Sequence, residues 1–248
     1  LRHKFTLINN GENKGAVQNQ LWAVNDYKEE EDDIVILLDG DDWLINNNTI
    51  FQYYNDLYAQ GYEFTYGSMW SLADNIPLIA QDYPAEVKKN RSYREHHFNW
   101  KIPYTHLRTV TAAHFAVLDE AAFKDKNGKW MKSGADNPLF YGLIETVLPS
   151  RIYCNKEIIV NYNDVNPNND YKIRGDEQNE NANRSYEGVT LKEPWPSLFT
   201  GETVSTNQSI SAAPKTSLLS LVENDSFHDE SHLAMPELLR EWQKIFLK

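Results

Sequence analysis

The sequence predicts an α/β fold: a mostly parallel sheet flanked by helices, with a loop-rich C-terminal extension. Three observations lead there. Ile34 to Leu38 is an unbroken apolar run rich in β-branched side chains, the character of a strand buried on both faces. A strand pattern, a helix pattern and this run follow one another within roughly 30 residues, the spacing of a βαβ unit with a right-handed crossover. Strand and helix patterns then keep alternating to about residue 175.

In chain order, Lys4-Phe5-Thr6-Leu7-Ile8 reads as a short strand stopped by Asn9-Asn10-Gly11. A helix follows Asn13-Lys14-Gly15, with Val17, Leu21 and Val24 on one face. The acidic run 29–33 is a solvated loop before the Ile34–Leu38 strand. Asn48-Thr49 start a second helix, whose apolar face is Ile50, Tyr53, Tyr54, Leu57 and Tyr58 and whose end is Gly61. Glu63 to Met69 is a further strand. Residues 72–106 lack a clear period and carry Pro77, Pro84 and Pro103. Their basic and aromatic cluster, from Lys88 to Lys101 and including Trp100, reads as a surface helix plus loop, with a flap over a site as the rival. A second apolar tract runs from His106 to Leu118, then a short helix from Asp119 to Lys124 and a turn at Asn127-Gly128. Asp136 and Pro138 open a helix with Leu139, Phe140, Leu143, Ile144 and Val147 inward. Ile152–Cys154 and Ile158–Val160 are two closing strands, and 161–169 is polar and irregular. Residues 1–175 thus form the domain, 176–214 a loop or linker, and 215–248 a helical extension with a terminal helix after Pro236.

Composition narrows the function. A chain of 248 residues with net charge -12 and pI near 5.0 is a poor match for nucleic acid or an anionic membrane. The single cysteine, Cys154, excludes an intrachain disulfide and sits in a strand pattern as a small core residue. With no apolar run near the ~20 residues of a spanning helix and no signal-peptide pattern, the expectation is a soluble protein. Sequons at Asn47, Asn90, Asn183, Asn207 and Asn224 carry little weight in so Asn-rich a chain.

The chemistry concentrates in Asp39-Gly40-Asp41-Asp42, directly after the apolar run. In an open α/β sheet, ligands bind beyond the carboxyl ends of the strands. Three carboxylates there repel one another unless a cation lies between them. Oxygen ligands suit Mg²⁺ or Mn²⁺, which also take substrate phosphates as ligands. The plain alternative is an acidic turn, since Asp-Gly marks many loops. Further coordination can come from His106, His114, His228 or His232, among which the sequence does not choose. Asp136 reads either as a helix cap or as a functional carboxylate.

Asn13-Lys14-Gly15-Ala16 with Asn19, the string Leu38-Asp39-Gly40-Asp41-Asp42-Trp43-Leu44, and Ala135-Asp136 at a helix start together resemble the family-two glycosyltransferases of the GT-A type. His106-Leu107-Arg108-Thr109 and Tyr162-Asn163 with Asn166 to Asp170 are similar to a giant-virus subgroup, some members of which are fused to collagen lysyl hydroxylases. The resemblance covers about residues 3–175 and implies a UDP-sugar donor, with Mn²⁺ or Mg²⁺ on Asp39, Asp41 and Asp42, bridging the donor's two phosphates. It implies Asn13, Gly15, Asn19, Asp39 and Asp41 as donor-binding residues, and Trp43, Trp100, His106 and Arg108 against the substrates. It further implies Asp136 as the general base of an inverting transfer to a glycan or a collagen-like hydroxylysine. A viral member would act in the host cytoplasm or the virion. The chain departs from the family in starting at about its third strand and in having Gln18 where an Arg is usual. The rival reading is a degenerate transferase domain that serves as a binding module. A carboxylate-dependent phosphatase is disfavoured, because no later Lys and acid set accompanies the aspartates.

Overall fold

The structure, a computed structural model, describes residues 7–45, 49–98 and 105–186, all within one compact unit. Its described elements run α1 (Ala16–Tyr27), β1 (Ile34–Leu37), β2 (Trp43–Leu44), α2 (Ile50–Ala59), β3 (Phe64–Ser71), β4 (Ile76–Leu78), α3 (Ala85–Asn90), α4 (Tyr93–Phe98), β5 (Thr105–Thr111), α5 (Ala112–Ala116), α6 (Asp136–Thr146), β6 (Ile152–Tyr162), α7 (Asp170–Ile173) and α8 (Gly175–Tyr186). A 3-10 turn at Glu120–Phe123 is capped by the Asp119 side chain, which accepts from Ala121 N at 2.9 Å.

The strands form a six-stranded sheet of order β1-β5-β3-β6-β2, with β4 on β3. Period-2 alternation along β3 serves both faces. Phe64 and Tyr66 point into the main core, where each packs edge-on against Phe140 of α6. Thr65 faces the other way; its hydroxyl meets that of Thr109 at 2.7 Å, and Thr109 meets Tyr58 of α2 at 2.9 Å. The helix faces read from the sequence hold: Val17 and Leu21 of α1 are buried, as are Ile50, Tyr54, Leu57 and Tyr58 of α2.

The α/β class stands, but the sheet is mixed rather than mostly parallel. Among the described residues only β3 and β6 run parallel; β1–β5, β3–β5, β2–β6 and β3–β4 are antiparallel. The Ile34–Leu38 run is not buried on both faces either. β1 has β5 as its one described neighbour, and Ile34, Val35 and Ile36 are half-buried. The middle strand of the order is β3, whose sequence mixes Thr, Gly and Ser with its aromatics. Apolarity reports the burial of side chains, not the number of backbone neighbours. The expected βαβ unit is not seen: Leu7 and Ile8 are exposed and outside any strand, and 4–6 lie outside the described residues.

Two further readings change. Ile152–Cys154 and Ile158–Val160 belong to one strand, β6, whose register against β3 shifts twice between Tyr66 and Met69. A bulged strand keeps its pairing across a polar stretch that reads as a break. Residues 176–186 are helix, not linker. Helix α8 docks through polar groups, with Asn181 Nδ2 donating to Ser133 O at 2.9 Å and Arg184 to Lys124 O at 2.8 Å, so an apolar period cannot reveal it. The rest of the expected linker, the extension 215–248 and Trp100 lie outside the described residues.

The basic stretch from Lys88 is internally paired. Lys88 binds Asp82, Arg94 forks onto Glu145 with two nitrogens, and Tyr93 is buried against Tyr83. That supports the surface-helix reading for 85–96.

Candidate metal centre

Backbone pairing builds the site. The β1–β5 register sets Ile36 opposite Thr109 and Leu37 opposite Arg108. Continuing two residues further sets Asp39 opposite His106, and His106 Nε2 lies 3.9 Å from Asp39 Oδ2. The chain then turns, with Asp42 N donating to Asp39 O at 3.1 Å, and enters β2. Because β2 pairs with the end of β6, Asp42 meets Asn163, whose backbone N–H donates to Asp42 Oδ1 at 2.8 Å.

One donor atom each from Asp39, Asp42 and His106 falls within 4.8 Å of the others, a group that could hold a metal ion. Two carboxylates and an imidazole are a donor set suited to Mn²⁺ or a similar transition ion. Asp42 is 9% exposed, and its Oδ2 has no hydrogen-bond partner among the described residues. A buried carboxylate oxygen left unpaired is costly, and a cation would satisfy it. The residues therefore fit a divalent ion. Asp41 stands differently: its Oδ2 accepts from Asn166 Nδ2.

The charges suit a cation-binding group. Burial pushes the Asp39 carboxyl up to about 6, with Asp136 and Asp41 adding to the rise and Arg108 opposing it. Burial pushes Asp42 up to about 7, against the pull of the Asn163 N–H. Burial, then Arg108, pushes His106 down to about 3, so its imidazole is neutral at pH 7, the state that ligates metals. The ring stacks on Tyr162, with centroids 5.6 Å apart and planes 13° apart. Asp170 of α7 is also raised, by burial and then, against Arg174, by Asp136, Glu177 and Asp41.

Asp136 is the first residue of α6, and no side-chain cap bond closes that helix start. Its side chain is 57% exposed, and Oδ1 lies 3.5 Å from Arg108 NH1. The close packing behind it depends on Gly134, at φ +74°, where a Cβ would come within 2.6 Å of Gln178 O in α8.

Of the residues named from the sequence, Asp39, Asp42, His106, Arg108 and Asp136 come together, with Asp41 at the edge. Trp43 lies on β2 and is 37% exposed. Asn13, Gly15 and Asn19 make local contacts instead. Asn13 Oδ1 accepts from Gly15 N at 2.8 Å, and Asn19 Oδ1 accepts from Asn10 Nδ2 at 2.9 Å. Gly15 is needed where it stands, since at φ +83° a Cβ would lie 2.7 Å from Met131 O. Arg108 is 5% exposed, beneath the acids rather than open to a ligand. His114 faces Glu63 at 3.5 Å and Thr146 at 2.9 Å; His228 and His232 lie outside the described residues. Sequence reasoning missed Asn163, Asn166 and the Tyr162 stack as supports of the acids, and nothing local signals pairings across some 120 residues.

Comparison with protein-family models, curated proteins and solved structures found no match. No described helix is long and apolar enough to cross a membrane.

Proposed function

We propose that the protein is a metal-dependent glycosyltransferase of GT-A-like type, moving a sugar from a UDP-sugar to an acceptor hydroxyl with inversion. The observation that carries this is the pairing of two different carboxylate environments. Asp39 and Asp42 sit with His106 as a donor set for a cation. Asp136, beside them, is more than half exposed and meets Arg108 through Oδ1.

A bound Mn²⁺ would supply charge neutralisation for the departing diphosphate, the role of a Lewis acid at a developing anion. The chain's own residues do the rest. Asp39, Asp42 and His106 fix where the diphosphate end of the donor lies. Asp136 takes the proton of the acceptor hydroxyl as that oxygen forms its bond to the anomeric carbon. The bond from that carbon to the diphosphate oxygen breaks, and its electron pair leaves with UDP. A net charge of -12 opposes an anionic donor. Donor capture is therefore expected to need the cation first. An acceptor of the collagen hydroxylysine kind rests on the family resemblance of Arg108 and its neighbours alone.

A donor screen tests the reading. UDP-glucose, UDP-galactose and UDP-GlcNAc are offered with Mn²⁺, and released UDP is measured with and without hydroxylysine peptides or simple sugars. The reading expects UDP release from one donor, abolished by chelation. No release from any donor, with UDP binding unaffected by Mn²⁺, would instead favour the binding-module reading.

A further inference from the structure

We infer that Arg108 is a positioning residue for Asp136, holding its carboxylate away from the start of α6 and turned toward the metal centre; this rests on the function proposed above. Three observations carry it.

An Asp at the start of a helix ordinarily turns its oxygens onto the free N–H groups of the first turn, where the helix dipole also favours it. Asp136 is the first helical residue, behind Ala135 at the cap position, and Ala135 has no polar side chain to close the helix start. The ion pair of Asp136 is with Arg108 NH1 at 3.5 Å. The cap residue leaves the first-turn N–H groups open, and the guanidinium is the charge that the carboxylate meets.

Arg108 is itself fixed. It sits on β5 opposite Leu37, 5% exposed, and NH2 lies 3.4 Å from His106 Nε2. A guanidinium only donates, so Nε2 is the accepting nitrogen at this contact. Nε and NH1 of Arg108 have no hydrogen-bond partner among the described residues. The group is held by surrounding negative charge rather than by a fork of hydrogen bonds. A buried cation so placed costs free energy, which the neighbouring carboxylates offset.

The geometry also leaves Asp136 usable. Only Oδ1 faces Arg108, and the side chain remains more than half exposed. A base needs one oxygen within reach of the acceptor proton, and a fixed partner on the other.

The test compares Arg108→Met and Arg108→Lys in the full 248-residue chain. Crystal structures are combined with Mn²⁺ calorimetry and transfer kinetics. In Arg108→Met the Asp136 side chain is expected to rotate onto the first-turn N–H groups of α6. The Kd for Mn²⁺ is expected to stay within about threefold, and kcat to fall by about 100-fold, the cost of a base displaced by an ångström or so, with donor KM little changed. Arg108→Lys restores part of kcat. In an Asp136→Asn background, Arg108→Met should cost little more. An Asp136 that keeps its place in Arg108→Met, or an equal kcat loss with Asp136 already removed, would overturn the inference. If the wild-type chain transfers no sugar, the proposed function fails on its own. The position of Asp136 in the Arg108→Met crystal then still decides the inference.

Discussion

At the scale of single residues, the site divides its acids by environment. Asp42 is buried, with one oxygen satisfied and the other unpaired among the described residues. Asp136 is exposed and paired on one side. The same functional group is thus suited to ligate a cation in one place and, in the proposed reaction, to act as a base in the other. Asp42→Asn removes a charged donor and should weaken Mn²⁺ binding by at least about 100-fold in calorimetry; unchanged affinity would exclude it as a ligand. Asp136→Asn should leave Mn²⁺ and UDP binding intact while transfer falls by about 100- to 10,000-fold. A variant that transfers at the wild-type rate would remove Asp136 from the chemistry. The acidic string and Asp136 are legible in the sequence because each sits at an element boundary. The choice of His106 over three other histidines is not. It follows from β1 pairing with β5, a contact across some 70 residues that no local pattern encodes.

At the scale of elements, two strands and one helix position the chemistry. β5 brings His106 and Arg108 beside Asp39, the end of β6 brings Asn163 beside Asp42, and α8 buttresses the start of α6. The helices of the first half are readable because their apolar residues recur on one face. α8 is not, because Asn181 and Arg184 make its contacts with polar groups. β1 misleads for the opposite reason, since an apolar run looks central wherever it lies. At Gly134 a Cβ would press on the Gln178 backbone of α8 at 2.6 Å, so Gly134→Ala should cost at least about 2 kcal/mol. The same substitution should also lower kcat by moving Asp136. Urea unfolding and transfer rates measured together check this. A wild-type urea midpoint would show that α8 does not press on that backbone.

At the scale of the whole molecule, the metal-free site works against the fold above neutral pH. The carboxyls of Asp39 and Asp42 titrate near about 4 in an unfolded chain and are raised to about 6 and about 7 in the fold. The native state therefore binds more protons than the unfolded chain between those values, and stability falls as pH rises through that window. His106 runs the other way, since its lowered value favours the fold as pH rises from about 3 toward its free value near about 6.5. It is one group against two, and it is spent above pH 6.5. The urea midpoint of the metal-free protein should thus be lower at pH 8 than at pH 6. Mn²⁺ at 100 times its Kd should add about 2.7 kcal/mol and close the gap. A midpoint that is higher at pH 8, or indifferent to Mn²⁺, would contradict this.

The central claim is that the acids after β1 hold a divalent ion through which a UDP-sugar is captured. Calorimetric titration of UDP into the protein, with and without Mn²⁺, tests it most directly. The account predicts binding with Mn²⁺, none without it, and none with Asp42→Asn under either condition. UDP binding of equal strength in the presence of a chelator, or no binding under any condition, would contradict it.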